Sequence, residues 1–116
     1  MKTHKDLEIW QLGIELVSEI YQITQNFPKE EMYGLTSHIR KSAISYPSNI
    51  SEGAARQSKK EYIQFVYVAL ASLSELETQL IIANKIGYIE KLSILEKIET
   101  IRRKTLNFLK FLKRKK

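Results

Sequence analysis

The sequence predicts an all-α protein, an antiparallel up-down-up-down four-helix bundle with a proline-kinked second helix. Three observations predict it. Apolar residues recur alternately four and three apart through most of the chain, the seam spacing of packed antiparallel helices. No stretch alternates with period two for long, and four glycines and two prolines are too few for the frequent turns of a sandwich or barrel. Short connections separate the periodic segments, which favours sequential neighbours packed antiparallel. The 116 residues read as a single domain, 1–116, with helices at about 6–25, 30–56, 59–85 and 90–113.

The first helix carries Ile9, Gly13, Leu16, Ile20, Ile23 and Phe27 on its seam, with Trp10, Val17 and Tyr21 widening that face. Pro28 ends it and pushes Phe27 away from helical geometry. The second helix repeats Met32, Leu35, Ile39, Ala43, Tyr46, Ile50 and Ala54, and Pro47 interrupts it. A proline there has no N–H, crowds the carbonyl of Ala43, and costs a helix interior roughly 3 kcal/mol. Ser45 and Ser48 flank the break, and their hydroxyls are suited to bond backbone groups that the proline frees. Gly53, Ala54 and Ala55 keep the end of this helix thin enough for a close approach. Proline, serines and glycine therefore have a structural explanation without any chemistry.

Ser58-Lys59-Lys60-Glu61 is a capping-box pattern that starts the third helix. Its seam is Tyr62, Val66, Ala69, Leu73, Leu76, Leu80 and Ala83, and Gly87 is a left-handed stop. The fourth helix uses Leu92, Leu95, Ile98, Ile101 or Arg102, Thr105, Leu109 and Leu112. Between Tyr62 and Leu73 only Gln64 and Ser72 are polar. Ile63, Tyr67 and Leu70 fall off the seam there, and a helix apolar nearly all round is buried on more than one side. These three residues are the expected oligomer interface, and the chain is expected to form a homo-oligomer.

Composition narrows the function classes. The chain has no cysteine, which excludes disulfides, thiolate metal sites and cysteine nucleophiles. Asp6 and Glu8 interrupt the N-terminus, which has no apolar core of signal-peptide type, and no run approaches the roughly 18 apolar residues of a membrane span. A soluble cytoplasmic protein with no membrane role is expected. His4 and His38 lack a metal-ligand spacing, and neither a phosphate loop nor a Gly-x-Ser-x-Gly elbow occurs. The carboxylates near the apolar helix faces read as paired: Arg40, Glu52 and Glu75 are expected to form a structural polar network. The expectation is a non-enzymatic protein with no catalytic residues, no metal and no cofactor.

Charge points elsewhere. The total is +6, yet the eight cations after Glu99 meet no acid there, so residues 1–100 carry −2. That basic end comprises Arg102, Arg103, Lys104, Lys110, Lys113, Arg114, Lys115 and Lys116. Arg56, Lys59 and Lys60 stand at the junction of helices two and three. In an up-down bundle that junction shares one pole with the end of helix four and with His4 and Lys5. The pole is a candidate phosphate-binding surface for RNA or DNA. The alternative is a protein-protein interaction scaffold whose basic end is a solvated helix terminus or a protein docking site.

The segments "LEIWQLGIEL", "FPKEEMYGLTSHIRKSAISYPSNISEGAARQSKKEY" and "ELETQL", in that order, resemble the bacterial four-helix bundle family of 23S rRNA intervening-sequence proteins. The resemblance covers roughly Leu7 to Ile89 and is densest at Phe27-Pro28, Tyr33-Gly34-Leu35, Ile39-Arg40, Pro47-Ser48-Asn49-Ile50 and Glu52-Gly53. The family usually shows alanine where this chain has Ser51, and an Arg-Arg pair where it has Arg40-Lys41. The resemblance implies kinship with the accessory protein of diversity-generating retroelements, a homopentamer that binds nucleic acid and a reverse transcriptase. A pentamer and a ribonucleoprotein accessory role are expectations drawn from it. The segment from Leu92 to Lys116 lies outside the resemblance.

Overall fold

A computed structural model describes residues 3–114. Four α-helices carry the fold, α1 Glu8–Thr24, α2 Leu35–Ala54, α3 Lys59–Ile86 and α4 Ile94–Arg114, and no strand occurs among the described residues.

A 3₁₀ turn, His4–Asp6, precedes α1. Thr3 caps it: its hydroxyl oxygen accepts from the Lys5 N–H at 3.2 Å, and the Asp6 carboxylate accepts from the Thr3 N–H at 2.9 Å. The α1 seam is buried at Ile9, Gly13, Leu16 and Ile20. Thr24 is buried as well, because its hydroxyl donates to the Ile20 carbonyl at 2.8 Å and so leaves no proton unsatisfied.

The second helix is shorter than its expected span of 30–56. A 3₁₀ turn at Lys29–Glu31 stands apart from α2. The Glu31 carboxylate accepts from the Leu35 N–H at 3.1 Å and thereby starts a new helix after Gly34. Met32, placed on the seam by its spacing, is consequently exposed. α2 runs through Pro47. The backbone support differs from the expected one. Asn49 Nδ2 donates to the Ser45 carbonyl at 2.8 Å, and Ser51 donates to the Ser48 carbonyl at 2.9 Å. The Ser45 hydroxyl instead pairs with Ser72 of α3 at 2.8 Å, and Ser48 is exposed.

The Pro47 ring is buried against α1, where Gly13 faces it. A Cβ on Gly13 would lie 2.7 Å from Cδ2 of Tyr46 and 3.3 Å from the Pro47 Cβ. Gly13→Ala is therefore expected to lower stability by about 1–3 kcal/mol, the usual cost of overpacking. An unchanged midpoint in urea would show that Tyr46 yields freely.

The Ser58 hydroxyl oxygen accepts from the Glu61 N–H at 3.2 Å, while the Glu61 carboxylate lies 3.9 Å from Arg56. α3 ends at Gly87, with φ of 101°, and the Tyr88 N–H returns to the Ala83 carbonyl at 2.9 Å. α2 packs on α1 and α3, and α4 packs on α1 and α3, which encloses one core. Contacts step in opposite directions along each pair. Lys104 reaches Glu8 while Lys97 reaches Glu19 between α4 and α1. Lys113 reaches Tyr67 while Arg102 reaches Glu77 between α4 and α3. The hydrogen bond that Lys97 donates to the Glu19 carboxylate, at 2.7 Å, holds the Lys97 pKa above its ordinary value.

Tyr46 sits at the centre of the core, fully buried. Thr105 donates to the Ile101 carbonyl at 2.6 Å, so the Tyr46 hydroxyl donates to Thr105 Oγ1, also at 2.6 Å. Burial raises the Tyr46 pKa far above its ordinary value of 10.0. The folded state then holds this proton when the unfolded state has lost it. The contribution is fully present below about pH 10 and is lost as pH rises beyond it, by up to about 1.4 kcal/mol per pH unit. Tyr46→Phe is expected to make the melting temperature less sensitive to pH above about 10. Equal alkaline slopes for the two proteins would contradict this.

α3 departs from one expectation. It holds an 18-residue window of mean hydropathy 1.4, long and apolar enough by length and composition to cross a membrane. Between Glu61 and Lys85 its only charged residues are Glu75 and Glu77, so the average is high without a continuous apolar run. Core helices of bundles share this property, but here only 33% of the window is buried.

Candidate nucleic-acid interface

The end of α2, the start of α3, the end of α4 and the start of α1 lie together. Gly53 approaches Tyr62 and Phe65, Tyr62 packs on Phe108 at 5.7 Å between ring centroids, and Lys104 reaches Glu8. Arg56, Lys59, Lys60, Lys110, Lys113 and Arg114 accordingly belong to one end of a molecule measuring 48 × 23 × 21 Å. Lys115 and Lys116 lie outside the described residues.

The basic candidates are not equivalent. Arg102 is 19% exposed and pairs with Glu77 at 3.0 Å and with Glu99. Lys104 pairs with Glu8 at 3.2 Å. Arg56 pairs with Glu52 at 2.9 Å and stacks over the Phe65 ring at 4.8 Å. Lys113 donates to the Tyr67 hydroxyl and lies 5.1 Å from that ring's centroid. Four of these candidates have neither an ion pair nor a side-chain hydrogen bond among the described residues: Lys60, Arg103, Lys110 and Arg114. The last three lie on α4 opposite its buried residues Ile101, Thr105, Leu109 and Leu112. At 1.5 Å per residue they form an outward stripe about 16 Å long. Such a stripe presents charge to solvent without competing acids, the property that phosphate contact requires.

The expected polar network does not assemble. Arg40 donates from Nε to Thr24 Oγ1 at 2.8 Å and stacks over Tyr21 at 4.3 Å. Glu52 pairs with Arg56 on the surface, and Glu75 is exposed. Arg40 and Glu52 are twelve residues apart on one helix, or about 18 Å, beyond the reach of any pair. The expected oligomer face also divides. Ile63 and Leu70 pack partly buried against the chain's own core. Tyr67 and Val68 stay exposed, at 43% and 47%, together with Ile82 and Ile86 further along α3.

One feature escaped the sequence reading. Between the turn after α1 and the start of α2 lies an open groove of about 470 Å³ holding Tyr21, Tyr33, Thr36, Arg40 and Lys41. Its aromatic residues are not interleaved with cations at any regular spacing, so no pattern announced it.

Comparison with curated proteins finds no match. A family profile described as 23S rRNA-intervening sequence protein matches residues 5–110, a span that includes most of α4 as well as the segments quoted above. The four-helix fold and that match over nearly the whole chain place it: the protein belongs to the 23S rRNA-intervening sequence protein family.

Proposed function

We propose that this protein is a non-enzymatic homo-oligomer that binds the phosphate backbone of nucleic acid through its basic pole. The observation that carries the reading is the outward stripe of Arg103, Lys110 and Arg114, with which no carboxylate among the described residues forms an ion pair. Three uncompensated cations on one rigid helix favour a polyanion and give it no base specificity. Binding is then nearly independent of sequence and steeply dependent on salt.

Self-association is supported by the apolar residues left outside on α3, Val68, Ile82 and Ile86 among them. A ring of five follows only from the resemblance. Light scattering is expected to give a multiple of the 13.6 kDa chain mass at micromolar concentration. A monomer mass would refute the oligomer.

Gel-shift titration with duplex DNA, single-stranded DNA and structured RNA across a salt series tests the binding role. The expected result is a shift at low salt that fades as salt rises. No shift with any of the three at low salt would leave the scaffold reading, in which the pole docks protein.

A further inference from the structure

The groove at the other end of the molecule is built to receive an anion. Arg40 is held from two sides. Its Nε–H is spent on Thr24, whose own proton is committed to the Ile20 carbonyl, and its guanidinium plane rests on Tyr21. Among the described residues the Nη donors have no acceptor, and no carboxylate lies within ion-pair distance of Arg40. A guanidinium fixed at Nε and open at its fork is preorganised for a phosphate or carboxylate. Lys41 follows, exposed and likewise without an acidic partner among the described residues.

One further observation points to a ligand. Tyr33, on the rim, is 95% exposed, far more than any other large apolar or aromatic side chain among the described residues. Glu31, the acid nearest to it in sequence on the preceding turn, is occupied by the Leu35 N–H and the Tyr88 hydroxyl. An anion site beside an unpartnered aromatic ring suits a ligand that carries a phosphate and a flat ring together.

We propose that this groove is a nucleotide-binding site, with the phosphate on Arg40 and Lys41 and the base stacked on Tyr33. A free mononucleotide and one residue of a single strand present the same chemistry. The site does not require the basic pole, which lies at the opposite end of the bundle.

Calorimetric titration of the full chain with AMP, with inorganic phosphate and with a short single-stranded oligonucleotide tests the assignment. AMP or the oligonucleotide is expected to bind more tightly than inorganic phosphate. AMP binding identifies a free nucleotide as ligand; without it, oligonucleotide binding that survives replacement of Lys110 and Arg114 and is weakened by Tyr33→Ala identifies a strand. Tyr33→Ala, a change at the surface that leaves the fold intact, should weaken nucleotide binding about tenfold and leave phosphate binding unchanged. Lys41→Gln should weaken all three probes. Replacing Lys110 and Arg114 by glutamine should leave AMP binding as it was, so the groove and the pole fail separately. Nucleotide probes no tighter than phosphate, or Tyr33→Ala binding them as well as the intact chain, would overturn the site. So would displacement of bound phosphate by an acidic peptide but not by AMP.

Discussion

Leu76→Asp is expected to abolish the cooperative thermal transition of this chain, and Leu73→Asp to do the same. Both leucines lie on the inner face of α3 with no exposure at all. Each replacement removes a large apolar side chain, a loss of about 2–5 kcal/mol for truncation alone. It also leaves a carboxylate among apolar neighbours, where an unpaired charge costs several kcal/mol more. Domains of this size hold only about 5–15 kcal/mol in total, so either change exhausts the margin. Ser74→Asp is the control, because Ser74 is on the same helix, exposed and outside the apolar face proposed for self-association. Circular dichroism should show a normal melt for Ser74→Asp and none for the two leucine variants. A melting temperature for Leu76→Asp equal to that of the parent would contradict the burial of this face.

The core was legible because it depends on period. Val66, Ala69, Leu73, Leu76, Leu80 and Ala83 recur at helical spacing and are buried together on α3. Positions decided by a single hydrogen bond were not legible. Met32 continues the α2 phase in the sequence, yet the Glu31 carboxylate restarts the helix at Leu35 and leaves Met32 outside. Thr24 falls off the α1 seam by spacing, yet its hydroxyl bonds a carbonyl of its own helix and it is buried, as Thr105, which spacing does place on the α4 seam, is too. The candidate site divides in the same way. The surplus of cations after Glu99 is visible in composition, but pairing depends on which acids the neighbouring helices bring. Glu77 and Glu8 arrive from α3 and α1 to occupy Arg102 and Lys104, and nothing in the spacing of α4 foretells either contact. The groove around Arg40 depends on Thr24 and Tyr21, sixteen and nineteen residues away, meeting it across a turn.

If the pole binds nucleic acid as proposed, replacing Arg103, Lys110 and Arg114 together by glutamine is expected to flatten the salt dependence of duplex binding by about 2.7 in the log–log slope. Each cation that neutralises a phosphate releases condensed counterion and contributes about 0.9 to that slope. Over a fourfold rise in salt these three contacts account for about fortyfold in affinity, so the variant should respond far less to salt and bind more weakly at low salt. Folding should survive, because all three are exposed on the face of α4 opposite Ile101, Thr105, Leu109 and Leu112. Arg102→Gln is the contrasting variant. Its guanidinium is already committed to Glu77 and Glu99, so its loss should leave the slope unchanged while removing an α3–α4 ion pair. The pair of slopes separates net charge from geometry: an effect of charge alone would lower the slope for Arg102→Gln by one contact as well. A triple variant that keeps the parent slope would move the phosphate contacts off this stripe, to Lys60 and the junction of α2 and α3.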